Sequence, residues 1–153
     1  GRRAVAAFGL PVEPALRAYR ARYPGASPGD ILAAVHTDWW VRIPALRLAD
    51  AHVGAEAAAT YMYEFAWAAP GLGAVHVLEV PFVFDSLGKD AWLFGPLLGD
   101  TAPQELADTM HAAWISFARS GDTGWPRYEL SRRATMRLKT GASGRLSTGS
   151  RQK

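Results

Sequence analysis

The stretch Gly71-Leu72-Gly73-Ala74-Val75-His76-Val77-Leu78-Glu79-Val80-Pro81-Phe82-Val83-Phe84 places a histidine just after two glycines, where a strand has ended and the chain turns. A loop at the end of a strand is a suitable position for a proton shuttle, because the sheet fixes the loop while the ring stays free of the core. His76 is therefore the first candidate catalytic residue. Glu79 is a candidate for bracing its loop by accepting backbone hydrogen bonds, and a solvated carboxylate is the equally weighted alternative.

The residues before this stretch predict a strand. Aromatic side chains alternate with Met62, Glu64 and Ala66 over residues 58–67, and period-two alternation with aromatic enrichment is typical of strands. A loop from Ala68 to Val75 would follow. One strand cannot form a sheet, because the hydrogen-bonding groups on its edges need partners. Either Ala4–Leu10 and Val80–Phe84 add short strands, or most of the sheet lies outside this chain.

Helices are expected on both sides of this strand. Residues 12–23 carry apolar side chains at helical spacing, and Asp30 can cap a helix that runs to about His36. Thr37 or Asp38 can cap the next helix, to about Val53, in which Pro44 should cause a kink or a division.

A longer helix is expected near the end of the chain. The run Thr101-Ala102-Pro103-Gln104 matches a capping box, and Gly121 is a plausible stop signal. Between them lies an apolar stripe at helical spacing, formed by Leu106, Met110, Trp114 and Phe117.

Charge divides the chain at about residue 130. The net charge is +3, yet residues 1–130 hold ten Lys and Arg against fourteen Asp and Glu and are therefore net −4. Residues 131–153 carry seven basic side chains and no acidic one, so this segment is predicted to be a basic, disordered tail. The acidic body argues against nucleic-acid binding, and a polyanion-binding role for the tail is a lesser alternative.

Other compositional features exclude several classes of function. The chain has no cysteine, which removes disulfides, thiolate catalysis and cysteine-based metal sites. No apolar run approaches the roughly 18–20 residues of a membrane span, so no membrane partner is expected. The basic and apolar start is too short for a signal peptide, and the missing initiating Met suggests a piece of a longer chain. The compartment, cytoplasmic or secreted, stays open.

Four blocks of sequence, in order, resemble type B carboxylesterases, the cholinesterase-like and para-nitrobenzyl esterase-like branch of the α/β-hydrolases. These blocks are residues 24–49 with Pro44, the strand Thr60–Phe65, the His76 stretch, and Trp114–Tyr128. The resemblance covers most of residues 10–136 and fades near Met136. It implies an α/β fold, the C-terminal portion of an α/β-hydrolase with the last strands and helices of the sheet, incomplete on its own. Residues 1–130 would form this segment of the esterase domain.

The resemblance also implies a reaction. Members of the family hydrolyse carboxylic esters with a serine, an acid and a histidine that follow each other in that order along the chain. His76 matches the histidine, which takes the serine proton and passes it to the leaving alcohol. The family's nucleophile and acid lie upstream of the matched region. The expected partners are therefore a small-molecule ester and the N-terminal remainder of the domain, with no cofactor.

One serine imitates the missing nucleophile. The run Gly25-Ala26-Ser27-Pro28-Gly29 fits the pattern G-x-S-x-G. In a nucleophile elbow, however, the N–H of the residue after the serine stabilises the oxyanion, and Pro28 has no N–H. The elbow also needs a buried strand before it, and residues 20–24 do not form one. Ser27 is therefore interpreted as a turn serine.

The remaining candidates carry weaker signals. His36, His52 and His111 lack partners at metal-ligand spacing, so structural roles are favoured and no metal is expected. Asp38 is most simply a helix cap. Aromatic side chains that could line an acyl or alcohol pocket, although core packing is the more common role, are Trp39, Trp40, Trp67 and Phe82. A non-catalytic, cholinesterase-like binding module is the alternative to an esterase fragment.

Overall fold

A computed structural model describes residues 2–55, 58–88, 95–140 and 145–148. The chain divides into two compact units, Gly1–Ala51 and His52–Lys153. The first unit is helical, and the second contains a small sheet packed against helices. The boundary between these compact units lies at residue 51, and the division at residue 130 that the charge pattern indicates stays a prediction.

Three helices supply the core of the first unit: α1 (Arg2–Ala7), α2 (Val12–Arg22) and α3 (Pro28–Thr37). Their apolar faces meet in a core of Val5, Leu16, Ile31 and Val35. The predicted helix over residues 12–23 is confirmed. The alternative that Ala4–Leu10 forms a strand is wrong, because α1 buries Val5 against α2 and α3.

Ser27 caps α3. Its Oγ accepts a hydrogen bond from the Asp30 N–H at 3.2 Å, and the Asp30 carboxylate accepts one from the Ser27 N–H at 2.9 Å. This reciprocal pair is a capping box, in which Asp30 is the third helical residue and not the cap itself. Hydrogen bonding to the Asp30 carboxylate, first by the side chain and then by the backbone of Ser27, holds the pKa of Asp30 below its usual range. The interpretation of Ser27 as a structural turn residue agrees with this geometry.

A π-helical turn, Asp38–Arg42, joins α3 directly to α4 (Ile43–Gly54). The prediction that Thr37 or Asp38 begins a new helix is wrong, because the helical backbone continues through both. Pro44 has no N–H to donate to the carbonyl of Trp40, four residues earlier. In the turn before it, the Ile43 N–H donates to the Asp38 carbonyl, five residues earlier, and this wider spacing defines the π turn. The proline thus changes the winding of the helix without dividing it.

The Asp38 side chain forms tertiary contacts instead of a cap. Its carboxylate accepts hydrogen bonds from the Tyr19 hydroxyl at 2.8 Å and from the Arg42 guanidinium at 2.8 Å. Burial, followed by the hydrogen bond to Asp38, raises the pKa of Tyr19. Asp38 therefore fastens the π turn to α2.

The second unit contains a three-stranded sheet in the order β1-β2-β3: β1 (Tyr63–Phe65), β2 (Ala134–Leu138) and β3 (Arg145–Thr148). β1 and β2 are parallel, with Tyr63 opposite Met136, and β2 and β3 are antiparallel. The predicted strand over residues 58–67 is confirmed in type but reduced to three residues. The alternative that Val80–Phe84 forms a strand is wrong, because Val80–Val83 forms the short helix α5 with Pro81 in its first turn.

The prediction of a disordered tail from residue 131 is wrong for both β2 and β3. β2 alternates buried and more exposed side chains along Ala-Thr-Met-Arg-Leu, which is the pattern of a strand with one face on a core. Because basic residues lie on both sides of β2, the sequence did not indicate this five-residue alternation. Residues 141–144 and 149–153 of the predicted tail lie outside the described residues.

Helix α7 (Gln104–Ser120) covers one face of the sheet, after the short α6 (Gly95–Leu98) and a 3₁₀ turn, Gly99–Thr101. Gly121 ends α7 with φ 73°, so the predicted stop is confirmed. The predicted capping box is wrong, since Pro103 precedes the helix and Thr101 lies in the 3₁₀ turn. Leu106 and Met110 of the predicted stripe are buried, whereas Phe117 is exposed.

The core of the second unit lies between α7, α5 and the sheet. It is formed by Trp67, Ala69, Leu78, Phe82, Leu98, Leu106, Ala107, Met110, Met136 and Leu138. Two residues of β2 therefore complete a core that otherwise comes from residues 67–110. Within the described part of the chain, no helix is both long and apolar enough to cross a bilayer.

We expect Leu138→Ala to lower the free energy of unfolding of the second unit by about 2–5 kcal/mol, because Leu138 is fully buried in this core. The measurement is denaturant unfolding followed by tryptophan fluorescence. Arg132→Ala is the control in an exposed position and should change the free energy by less than about 0.5 kcal/mol. Equal, small effects of both substitutions would instead support a disordered tail.

Candidate active site

His76 lies on a turn between two anchored points of the chain. After β1, the buried Ala69 pairs with Gly73 through two backbone hydrogen bonds of 2.9 and 3.1 Å. Gly71 and Gly73 adopt positive φ of 76° and 77°, which glycine tolerates and which this tight reversal requires. The chain then turns again at His76, and Leu78 returns to the core.

The turn at His76 contains a strained residue. The Leu78 N–H donates to the Val75 carbonyl at 3.3 Å, so that His76 and Val77 are the two central residues of the turn. Val77 has φ 63°, a left-handed conformation that is unfavourable for a β-branched side chain. The strain coincides with the candidate catalytic residue, as it often does where a side chain must be held in a fixed direction.

The downstream side of the turn is fixed by α5 and α7. Phe82 of α5 is fully buried, and the His111 ring nitrogen Nδ1 lies 2.9 Å from the Val83 carbonyl. Gln104, at the start of α7, donates its amide to the Asp85 carboxylate at 2.6 Å. Asp85 itself has φ 50°, which aspartate tolerates better than most residues. These contacts hold the segment after His76 against α7.

The His76 side chain is exposed. Among residues 2–55, 58–88, 95–140 and 145–148, no carboxylate or hydroxyl makes a hydrogen bond with its ring. Within the described part of the chain, the imidazole therefore has neither a serine hydroxyl nor a carboxylate as a hydrogen-bond partner. The imidazole keeps both ring nitrogens available to groups that a larger protein would supply.

Among the described residues, the half-buried Glu79 makes no side-chain hydrogen bond to the His76 turn, and a bracing role stays a prediction. Its backbone carbonyl accepts hydrogen bonds from Phe82 and Val83, which is ordinary helix geometry at the start of α5. Its carboxylate accepts none from the loop within the described residues, which favours the alternative of a solvated side chain. Burial, and then the negative charge of Glu79, raise the pKa of Tyr63 on β1.

The four aromatic pocket candidates fall in two groups. Trp67 and Phe82 are buried in the core of the second unit, with ring centroids 5.2 Å apart. Trp39 and Trp40 are exposed in the first unit, where Trp39 stacks on Phe8 with centroids 5.1 Å apart. Core packing accounts for the first pair, and pocket lining stays a prediction for all four.

The other histidines have structural surroundings. His36 packs edge-on against Phe8, His52 Nδ1 lies 2.7 Å from the Thr60 hydroxyl, and His111 contacts the Val83 carbonyl. Within the described residues, no three His, Cys, Asp or Glu side chains converge as a metal site would require.

His76 lines neither of two surface cavities found among the described residues. A cavity of about 130 Å³ lies in the first unit beside Leu16 and Ile31. A cavity of about 320 Å³ lies in the second unit between Ala58–Thr60 and Arg127–Glu129. Neither contains a group that the sequence singled out for chemistry.

Comparison with known proteins gives the family. The model of the carboxylesterase family matches residues 19–152, a range that includes β1, the His76 turn, α7 and both strands of the supposed tail. The chain belongs to the carboxylesterase family. The match extends beyond Met136, where the sequence resemblance was expected to fade.

Two of the relatives carry the names of enzymes. Phenmedipham hydrolase of Pseudarthrobacter oxydans is 32% identical over 103 residues, covering 64% of this chain and 20% of that protein. Para-nitrobenzyl esterase of Bacillus subtilis is 32% identical over 121 residues, covering 72% of this chain and 24% of that protein. The carboxylesterase chain thus spans about a fifth to a quarter of these relatives.

The fold agrees with solved carboxylesterases. The Geobacillus stearothermophilus carboxylesterase EST55 superposes with a TM-score of 0.71 at 32% identity, covering 88% of this chain and 29% of that one. The structure therefore corresponds to a portion of an α/β-hydrolase carboxylesterase, with helices and a small, partly parallel sheet.

The sequence pattern singled out His76, whose catalytic role stays a prediction, but it did not signal the residues that hold its turn. Asp85, Gln104 and His111 fasten the downstream segment to α7 through side-chain contacts. For Gln104 the sequence contains a weak signal, because Asp108 lies four residues later on the same face of the helix. In the structure, the Gln104 side-chain amide donates to the Asp108 carboxylate at 2.9 Å. No local pattern signals the contacts between α7 and residues 83–85, or the left-handed Val77.

We expect Val77→Gly to leave the free energy of unfolding unchanged or raise it by up to about 1 kcal/mol. Relief of left-handed strain, about 1–2 kcal/mol, offsets the roughly 0.5–1 kcal/mol entropic cost of glycine. Val75→Gly is the matched control, since Val75 and Val77 are 39% and 37% exposed and Val75 has no positive φ. Val75→Gly should lower the free energy of unfolding, measured by denaturant unfolding, by about 1 kcal/mol. Equal losses would contradict strain at Val77.

Proposed function

We propose that this chain is the C-terminal segment of a serine carboxylesterase and that His76 is the proton shuttle of its catalytic triad. The observation that carries the proposal is an exposed histidine, held on an anchored turn after β1, within a match to the carboxylesterase family. In this role the imidazole accepts the proton of a serine hydroxyl as the serine attacks the ester carbonyl. It then donates that proton to the alkoxide that leaves.

The serine and the acid are proposed to come from the part of the protein that precedes this segment. Ser27, in the one G-x-S-x-G pattern of the sequence, uses its hydroxyl to accept the Asp30 N–H and is followed by Pro28. An elbow serine needs a free hydroxyl and a following N–H for the oxyanion. The chain also covers only 20% and 24% of the two esterases named above, which leaves ample length for the other triad members.

Exposed apolar side chains support a missing portion of the domain as the partner. In the first unit, Trp40 is 70% and Leu48 is 73% exposed. In the second unit, the exposed apolar side chains are Leu72, Val75, Val77, Phe84, Ile115, Phe117 and Leu130. These side chains would leave water if another portion of the domain covered them. The substrate is proposed to be a small-molecule carboxylic ester, as the names of the relatives suggest, with no cofactor.

A catalytic role fits His76 better than a binding role does. A non-catalytic module has no need to hold an exposed imidazole on a strained turn, because strain of this kind costs stability. The preceding portion of the protein decides between the two. An intact nucleophile elbow there supports the enzyme, and a replaced serine supports the binding module.

In the full-length parent, we expect His76→Ala to lower kcat for p-nitrophenyl acetate by a factor of at least about 10⁴, because the triad acts as a unit. His52→Ala is the control, an exposed histidine whose ring contacts Thr60. It should leave kcat within about twofold. Ser27→Ala should lower stability by about 1 kcal/mol through loss of the cap but leave kcat unchanged. Activity that survives His76→Ala would overturn the proposal.

The chain by itself should not turn over esters. We expect its rate on p-nitrophenyl acetate to equal that of free histidine at the same concentration, because the proposal places the nucleophile and the oxyanion hole in the preceding part of the protein. The measurement is release of p-nitrophenol, with Ser27→Ala as the matched variant. Turnover above the histidine background that disappears in Ser27→Ala would show that the chain carries its own nucleophile.

A further inference from the structure

Helix α5 ends in a tight cap whose central residue is Asp85. The Ser86 N–H donates to the Pro81 carbonyl at 2.8 Å, and the Asp85 N–H donates to the Phe82 carbonyl at 3.4 Å. Such a pair of hydrogen bonds closes a Schellman motif, and Asp85 takes the left-handed conformation that this motif requires, with φ 50°. Glycine is the usual residue there, because it has no Cβ. The cap by itself therefore gives no reason for an aspartate.

The Asp85 side chain supplies a reason, because it joins the end of α5 to α7. Its carboxylate accepts a hydrogen bond from the Gln104 side-chain nitrogen at 2.6 Å, and the same nitrogen donates to the Asp108 carboxylate at 2.9 Å. Both protons of the amide are thus used on charged acceptors, which form short and directional hydrogen bonds. Gln104 and Asp108 lie one turn apart on α7, so α7 holds the amide in place for Asp85. We call these three side chains the clip.

The clip restricts the α5 segment, residues 76–85, in a way that its apolar contacts do not. Leu78 and Phe82 are fully buried, and burial of apolar surface is favourable without being directional. It fixes how deeply the segment lies in the core. Within the described residues, the side-chain hydrogen bonds between this segment and α7 are those of the clip and of the His111 ring with the Val83 carbonyl. These directional bonds fix the rotation of α5 about its own axis.

Backbone hydrogen bonds connect this rotation to the turn that carries His76. The Val80 N–H donates to the Val77 carbonyl at 3.2 Å, which joins the turn to the first residue of α5. A left-handed residue lies near each end of the segment, Val77 before α5 and Asp85 after it. The segment is thus short and closely bonded, so a rotation of α5 would displace the His76 imidazole.

We propose that Asp85 is a positioning residue for ester hydrolysis: through the clip it sets the rotation of α5 and, with it, the direction of the His76 imidazole. This proposal rests on the proposed function of His76. The imidazole must meet a serine hydroxyl and then a leaving alkoxide at hydrogen-bond distance, and a misplacement by about 1 Å can lower a rate by about 100-fold. Because His76 is exposed, its own packing does little to correct such a misplacement.

An ordinary surface hydrogen bond is the competing interpretation. Asp85 and Gln104 are both exposed, so their contact competes with water and contributes little to the stability of the fold. This exposure separates the two interpretations. Loss of the contact should leave the fold intact in either case, and only the positioning role predicts a loss of activity.

The test is Asp85→Gly in the full-length parent, since glycine suits the left-handed position but has no carboxylate. The melting temperature should rise or stay within about 2 °C of the parent's, because relief of backbone strain offsets the lost contact. The kcat for p-nitrophenyl acetate should fall at least about tenfold with KM within about threefold, because the orientation of a proton shuttle acts in the transition state. A smaller loss of kcat, or a larger fall in melting temperature, would overturn the positioning role.

Two further variants are matched to Asp85→Gly. Asp85→Asn tolerates the left-handed conformation and keeps an oxygen that can accept from Gln104, so its kcat should exceed that of Asp85→Gly at least about fivefold. Glu105→Gln removes a negative charge from the same turn of α7 without removing a member of the clip, and should leave kcat within about twofold. If either variant lost as much activity as Asp85→Gly, the clip would be contradicted.

Gln104→Met tests the clip from the side of α7. Methionine keeps the length of the side chain and removes the amide protons, so kcat should fall as it does in Asp85→Gly. The double variant should lose no more than the larger single loss, because both substitutions remove the same contact. Losses that multiply in the double variant would show two independent effects and would refute the clip.

The outcome for the clip is separate from the outcome for the proposed function. If His76→Ala leaves the parent active, the proposed function is wrong. If His76→Ala abolishes activity while Asp85→Gly does not lower kcat, the proposed function stands and only the positioning role is wrong.

Discussion

The second unit depends on the parallel pairing of β1 with β2. The hydrogen bonds from Met136 to Met62 and from Ala66 to Leu138 join two segments that are far apart in the sequence. This pairing places Met136 and Leu138 in the core beneath α7. Parallel strands need a long crossover, and here the crossover contains the His76 turn, α5 and α7. The histidine is thus carried by the connection that makes the pairing possible.

The crossover holds its strained turn by burying the residues on either side. Ala69 and Leu78 are buried before and after His76, so the turn between them has little freedom to relax. Val77 keeps its left-handed conformation because a change there would withdraw Leu78 from the core or break the hydrogen bond from the Leu78 N–H to the Val75 carbonyl. The contacts of α7 with residues 83–85 extend this constraint downstream. A strained backbone conformation persists where the packing on both sides holds it in place. Here that packing keeps the turn with the exposed His76 imidazole in position.

The sequence predicts the local elements well and the long-range ones poorly. Residues 12–22 and 104–120 are helical because their apolar side chains recur at helical spacing, and Gly121 ends α7 as glycine usually does. His76 was identified from its turn residues and its resemblance to one family. β2 was missed because its five residues are surrounded by basic and small residues, and because a parallel strand has its partner elsewhere in the chain.

The capping predictions failed for a related reason. Asp38 has the residue type of a cap, yet its carboxylate binds Tyr19 of α2 and Arg42, and the helix continues through it. Thr101 has the spacing of a capping box, yet a 3₁₀ turn precedes α7 at that point. Polar residue types mark where a helix can begin, whereas tertiary contacts decide whether it does. At Ser27, where no such contact competes, the local rule holds and both hydrogen bonds of the box form.

Two properties of the chain have a common physical origin. An unprotected edge on β1 and large apolar side chains such as Trp40 and Phe84 on the surface both oppose stability in water. A sequence selected to fold by itself would have replaced some of them with charged residues or proline. A sequence selected to fold with the rest of a larger domain would retain them, since each would then be paired or buried. The same argument applies to His76, whose bare imidazole has chemical value only if other groups are brought to it.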